Sequence, residues 1–345
     1  MLERKPLRTL SDLAASGLAE PTPELERVAE KYAVAIPPAL AKLIDPDDPD
    51  DPIALQFVPH ADELVTTPEE RGDPIGDLAH SPVEGIVHRY PDRVLLKPLH
   101  VCPVYCRFCF RREMVGPDGM GTLTPDRIEA ALSYIAAHPE IWEVILTGGD
   151  PLILAPRRLR QIMEGLGRIG HVKIVRVHTR VPVADPDLID ADLIDALKTS
   201  SKTVYIGVHA NHPRELTEDA RAGLGRLADA GIPLLSQTVL LRGVNDDPKV
   251  MADLMRGFVE SRVRPYYLHH PDLAPGTARF RLSIEEGREL MRALRGHLSG
   301  LAMPTYVLDI PGGHGKSPIG PEYVHGDEVE DFRGGRHLYP PSPLP

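Results

Sequence analysis

The sequence predicts an α/β fold built from repeated strand–helix units, and three observations predict it. From Arg93 onward, short β-branched runs alternate with amphipathic stretches of helical length. Well-marked helix starts stand between the runs, and six such units in series imply a parallel sheet with right-handed crossovers. At 345 residues and 42% apolar content the chain can bury one large core, with extensions. Periodicity leaves open whether the sheet closes as an eight-strand barrel or stays partial.

Residues 1–85 read as a helical, proline-interrupted extension. Thr22 and Pro23 supply the N-cap and first position of a helix that starts at Glu24 and runs to about Tyr32. A short second helix follows Pro38, and the acidic, proline-rich stretch from Asp45 to Pro52 is a loop. Residues 86–300 hold the repeated units, with candidate strands Val94–Lys97, Glu143–Thr147, Lys173–His178, Thr203–Val208, Leu234–Leu240 and Pro265–His269. Thr124-Pro125 opens one helix, Asp185-Pro186 another, and Thr217 a third that Gly231 closes. Ser283 and Glu286 form a capping box for a helix ending near Gly300. In residues 301–345 a last strand, Thr305–Leu308, precedes a tail from His325 whose acidic, Gly and Pro residues predict an extended or mobile segment.

Composition narrows the function class. No run of 18 apolar residues appears, so no membrane span is expected. The N-terminal residues carry charge without a continuous apolar stretch, which predicts a cytoplasmic protein. A formal net charge of −11 argues against nucleic-acid binding through a basic face.

The only three cysteines, Cys102, Cys106 and Cys109, sit within eight residues as CxxxCxxC. Three thiolates are one fewer than close an iron–sulfur cubane, so one iron is left open to bind and activate a substrate. A disulfide framework would need an even count and wider spacing in a secreted chain. A Cys3His zinc site, with His100 or a distant histidine as fourth ligand, is the main alternative.

Other residue types point to further chemistry. Thr147-Gly148-Gly149-Asp150-Pro151 ends the second strand, where glycines permit close approach to a ligand or simply make a tight turn. Lys316 follows Pro311-Gly312-Gly313-His314-Gly315, a loop mobile enough for its lysine to swing. GGHGKS is too short for a phosphate-binding GxxxxGK[ST] loop, and Pro318 opposes a helix directly afterwards. His88-Arg89-Tyr90-Pro91-Asp92-Arg93 offers two guanidinium forks suited to phosphate, or a charged strand entry.

HRYPDRVLL, CRFCFRR and DIPGGHGKSP, in this order and spacing, resemble the lysine 2,3-aminomutase family of radical S-adenosylmethionine (SAM) enzymes, from about Thr9 to Tyr323. The resemblance implies a partial (β/α)6 TIM-like barrel of the radical SAM type, with the N-terminal helical extension before it and a C-terminal segment carrying a pyridoxal phosphate (PLP) lysine. It implies a [4Fe-4S] cluster on Cys102, Cys106 and Cys109, and SAM contacts from Gly148, Gly149, Asp150, His209 and Gln237. Lys316 matches the family's PLP lysine, and Arg89, Tyr90 and Arg93 fall beside PLP. Arg111 matches the residue that holds the substrate carboxylate; Asp272 and Asp309 match the two acids that grip the distal ammonium of lysine. Two carboxylates facing one cation would disfavour a neutral or acidic side chain.

The activity so implied is a 2,3-amino migration converting L-lysine to β-lysine, an isomerisation fed with electrons by a donor such as a flavodoxin or ferredoxin. His314 stands where the family has a third glycine, and there is no fourth cysteine for the intersubunit zinc of longer members, which leaves homo-oligomerisation open. Alternatives are an aminomutase for arginine or another amino acid, β-lysine supply for elongation factor P, and a radical SAM enzyme without PLP, such as a methyltransferase or glycyl-radical activase. From a different class, a non-catalytic zinc module remains.

Overall fold

Alternation along the strands decides the architecture. In Val175-Arg176-Val177-His178 the valines are fully buried on one face and the polar residues point to the other. The computed structural model describes residues 5–115 and 121–341, and there the outward-facing positions line up across the sheet. Leu96, Leu146, Val177, Ile206, Leu234 and Val263 are paired in register across six successive strands, all buried against the surrounding helices. The inward positions are left to line a cavity.

The helical extension contains α1 (Leu10–Ala15), α2 (Pro23–Lys31), α3 (Pro38–Ala41) and α4 (Ala54–Phe57). The sheet then runs β1 (Ile86–Tyr90), β2 (Arg93–Leu99), β3 (Glu143–Gly148), β4 (Ile174–Thr179), β5 (Thr203–His209), β6 (Leu234–Val239), β7 (Val263–His269), β8 (Thr305–Ile310) and β9 (Gly315–Pro318), neighbours in space as in sequence. Strands β2 to β8 are parallel; β1 and β9 flank them antiparallel. The crossovers carry α5 (Pro125–Ala136), α6 (Pro156–Gly167), α7 (Val181–Ala184), α8 (Ala191–Lys198), α9 (Glu218–Asp229), α10 (Pro248–Glu260) and α11 (Ile284–Leu294). The six predicted strands and the last one are β2 to β8.

No ladder joins β1 to β9 among the described residues, so the barrel is partial, yet its two edges meet. The Lys316 N–H of β9 donates to the Tyr90 hydroxyl of β1 at 2.7 Å. Gly315 makes room for this contact, since a Cβ there would lie 2.9 Å from that hydroxyl.

Four sequence expectations need correction. Asp185-Pro186 opens only a 3-10 turn, Pro186–Leu188; the helix begins at Ala191 behind Asp190, whose carboxylate caps Leu193 N–H at 2.8 Å. The helix capped by Ser283 stops at Leu294, short of Gly300. The tail pairs as a three-stranded antiparallel sheet, Val324–His325, Glu328–Glu330 and Arg336–Leu338, rather than lying loose. The loop before Lys316 is a hairpin turn: Asp309 and Lys316 are direct cross-strand partners, and Gly312 and Gly313 abut the backbone of Gly76.

The extension serves the cysteine loop. Glu63, fully buried, accepts from Arg107 Nε at 2.9 and 3.0 Å and also from Arg112, both of which are buried too. Arg107 Nη1 donates to the Ala33 carbonyl at 2.7 Å, and the N–H groups of Tyr105 and Arg107 donate to the carbonyls of Ala35 and Gln56. Burial opposes the charge of Glu63, but the two guanidiniums prevail and hold its carboxyl below the usual range. Glu63→Ala leaves two guanidiniums buried without their counter-ion. It is expected to cost about 3–5 kcal/mol in urea unfolding and to lower the iron content of anaerobically purified protein.

Candidate active site

One cavity of about 540 Å³ runs through the barrel, within the range of small-molecule sites. Every residue to which the family resemblance assigns a cluster, cofactor or substrate role lines it: the three cysteines, Arg89, Tyr90, Arg93, Arg111, Gly148, Gly149, Asp150, His209, Gln237, Asp272, Asp309 and Lys316. The C-terminal ends of parallel strands carry most of them, where barrel enzymes assemble their sites.

Gly148 and Gly149 have a nearer reason to be glycine than ligand approach. Gly148 sits at φ +104°, and a Cβ there would lie 2.6 Å from the Leu99 carbonyl oxygen. A Cβ on Gly149 would overlap the Val101 carbonyl. Gly149 N–H donates to Leu99 and Asp150 N–H to Val101, at 2.7 and 2.9 Å. The glycines thus lock the end of β3 to the chain that delivers Cys102. The Asp150 carboxylate is engaged by Thr179 Oγ1 and Arg180 N–H, each at 2.7 Å, and by Leu152 N–H.

The three thiols are half-buried on one loop. Burial pushes them all up, Cys106 to about 12 despite the opposing guanidinium of Arg180, whose Nη1 lies 3.6 Å from its Sγ. Thiols so placed release their protons only to a strongly bound cation. Among the described residues no three His, Cys, Asp or Glu side chains converge as ligands of a single ion. A cubane instead spreads its thiolates over separate irons, so the donor set fits a cluster better than zinc. His100, the alternative zinc ligand, is buried outside the cavity lining, and burial lowers it to about 4.

A chain of alternating charge starts on the cysteine loop, at Arg111. Arg111 donates to Asp77 Oδ2 from Nε and Nη2 at 3.0 and 2.9 Å. The other oxygen of Asp77 takes Arg89 at 3.2 Å; Arg89 reaches Asp309 at 3.4 Å, and Asp309 accepts from Lys316 Nζ at 2.6 Å. Arg89 is therefore engaged by two carboxylates, whereas Arg93 stacks 3.7 Å over the Tyr90 ring beside Lys316. Burial works against the charge of Asp77, but Arg111, Lys97 and Arg89 outweigh it and keep it ionised. Asp272 differs: burial and the neighbouring Asp309 raise it to about 7.

Sequence reasoning missed Asp77, Glu63, Arg180, His178 and His269. His178 and His269 stand at strand ends like His209 and Gln237, so the same rule would have found them. Gln237 joins them, its Nε2 lying 3.3 Å from His178 and its Oε1 3.0 Å from His269. Burial keeps both imidazoles neutral, His269 at about 3. Asp77 carried no signal beyond its place in a loop before β1.

Comparison with known proteins agrees with this geometry. The Radical SAM superfamily profile matches residues 96–255 and the Lysine-2,3-aminomutase profile residues 291–330. L-lysine 2,3-aminomutase of Clostridium subterminale is 44% identical over 84% of this chain and 70% of its own. The chain belongs to the lysine 2,3-aminomutase family. The enzyme of that name from Acetoanaerobium sticklandii is 42% identical over 88% of this chain and 74% of its own. Glutamate 2,3-aminomutase of Clostridioides difficile is 38% identical over 87% and 70%. As a lysine 2,3-aminomutase family member the protein is a radical SAM isomerase, and the family implies a [4Fe-4S] cluster and SAM. No helix among the described residues is long and apolar enough to cross a membrane.

The Asp272 shift has a stability consequence. Its folded pKa, about 7, exceeds the ordinary value of 3.8, so folding favours the protonated form. The destabilisation from its charge is absent below about pH 4, grows as pH rises, and is complete above about pH 7. Asp272→Asn is expected to match wild type at pH 4 and to exceed it at pH 8, by on the order of 1–4 kcal/mol. Thermal melts of the amino-acid-free protein at the two pH values check this.

Proposed function

We propose that this enzyme converts L-lysine to β-lysine, with PLP held at Lys316 and SAM at the cysteine cluster. The observation that supports it most is the shared cavity, which sets Lys316, two carboxylates and the three thiols around one space. Bound there, the cluster and SAM would supply a radical that removes hydrogen from the β-carbon, and PLP the conjugated system that lets nitrogen migrate.

The chain's own residues do the holding. Arg111, fixed along one edge by Asp77, presents the rest of its guanidinium to a substrate carboxylate. Asp272 and Asp309 take the distal ammonium, whose charge also lowers the cost of ionising Asp272. Lys316 must be neutral to act as a nucleophile, and Asp309 Oδ2, 2.6 Å from Nζ, is placed to accept its proton. Arg93 and Tyr90 lie beside Lys316 where a phosphate would be bound, with Arg89 bracing Asp309. Gly148, Gly149, Asp150, His209 and Gln237 line the same cavity as the thiols and would contact SAM. Neutral His178 and His269 add hydrogen-bonding groups without a competing charge. Ile75, Val87, Val94, Leu95, Ile145 and Phe108 exclude water, which would quench a radical. A low-potential donor of the flavodoxin or ferredoxin class supplies the electron.

Anaerobic turnover of lysine, arginine and glutamate with reconstituted cluster, SAM, PLP and dithionite tests the proposal. β-Lysine is expected from lysine, and Asp309→Asn is expected to raise KM for lysine about tenfold or more. Borohydride should trap PLP on Lys316. Conversion of glutamate in place of lysine would overturn the substrate assignment, and an unlabelled Lys316 would overturn the PLP site.

A further inference from the structure

Arg180, immediately after β4, has no part in the site as read from the sequence, and its surroundings are unusually complete. Its side chain is 5% exposed. Nη2 donates to Gln56 Oε1 at 2.9 Å and to the carboxylate of Glu215; both partners are fully buried. The guanidinium lies 4.8 Å from the Phe57 ring and 5.7 Å from the Phe108 ring, and its backbone N–H is fixed by Asp150 at 2.7 Å. Held from the extension, from the loop after β5 and from the end of β3, it reaches Cys106 Sγ with Nη1 at 3.6 Å. This geometry is within the hydrogen-bonding range of sulfur.

We propose that Arg180 sets the reduction potential of the cluster by donating a hydrogen bond to the Cys106 thiolate. Reduction adds an electron to the cluster, whose charge becomes one unit more negative. A donor aimed at a cluster sulfur stabilises the reduced form more than the oxidised one and so raises the potential. Glu215 opposes part of this effect through its own charge, so the pair acts as a trim: guanidinium raising, carboxylate lowering. Gln56 and Phe57 keep the fork in place, which gives the N-terminal extension a part in electron acceptance. The proposal rests on the cluster and not on lysine or PLP, so it can stand or fall whichever amino acid is rearranged.

The test is an EPR-monitored redox titration of anaerobically reconstituted full-length protein, with iron and sulfide counted in each sample. Arg180→Lys keeps the charge but loses the fork; it is expected to lower the equilibrium constant for cluster reduction by about tenfold, which is ~59 mV more negative for a one-electron couple. Gln56→Leu frees the guanidinium without removing it and should shift the potential in the same direction by less. Glu215→Gln should shift it upward. Resonance Raman should show a higher Fe–Sγ stretching frequency in Arg180→Lys, as loss of a hydrogen bond to sulfur strengthens the iron–thiolate bond. Unchanged potentials in Arg180→Lys and Gln56→Leu at full iron content would overturn the proposal, as would an unchanged potential accompanied by a raised KM for SAM. If Arg180→Lys assembles no cluster, Gln56→Leu and Glu215→Gln decide between these outcomes.

Discussion

The Arg111–Asp77–Arg89–Asp309–Lys316 chain pairs the cations and carboxylates gathered at the cavity of this barrel. Five groups of alternating sign cross from the cysteine loop to the far edge of the sheet, each within hydrogen-bonding distance of the next. A buried ion without a partner costs several kcal/mol, so no link can change its partner without disturbing the rest. Lys97, 4.0 Å from Asp77, adds a further cation. Arg89, Arg111 and Lys97 together outnumber Asp77 by two positive charges, a surplus suited to anionic groups on whatever is bound. At the other end Asp272 and Asp309 outnumber Lys316, which suits a cation. The cavity is thus polarised along its length before any ligand enters.

The cysteine loop obeys the same rule by another route. Three residues flanking or facing the thiols, Arg107, Arg112 and Arg180, are buried arginines, and two carboxylates from outside the loop pair with them, Glu63 with the first two and Glu215 with the third, leaving one positive charge in excess. The helical extension, which looks dispensable as a preface to a barrel, supplies the side chains of Glu63 and Gln56 and the backbone carbonyls of Ala33, Ala35 and Gln56 to this arrangement. The loop's own apolar residues, Val104, Tyr105 and Val115, pack beneath these charges against the same extension.

What could be read from the sequence was what local chemistry determines. Thr22, Thr124, Thr217 and Ser283 cap helices as expected because a side-chain oxygen reaches an N–H only three residues away. The parallel strands were legible from their β-branched runs, and the residues that gather around the cavity from the motifs that hold them. Asp185-Pro186 misled because an acid before proline opens a single turn as readily as a helix, and Asp190 offered a second cap close by. Strands β1 and β9 and the tail sheet were missed since short antiparallel pairs are defined by what lies opposite, not by their own pattern. Asp77 and Glu63 were missed for the same reason: their partners are tens of residues away, and an acid in a loop ordinarily faces water. The glycines at 148 and 149 stand out in the sequence as a place for close approach, and what approaches them is the protein's own backbone at Leu99 and Val101.

The meeting of β1 and β9 has one more consequence. The seam of the barrel is fastened by the Tyr90 hydroxyl and the backbone of Lys316, the residue whose side chain stands inside it. Because that one hydrogen bond joins the last strand to the first, any widening of the seam would also carry Lys316 away from Tyr90.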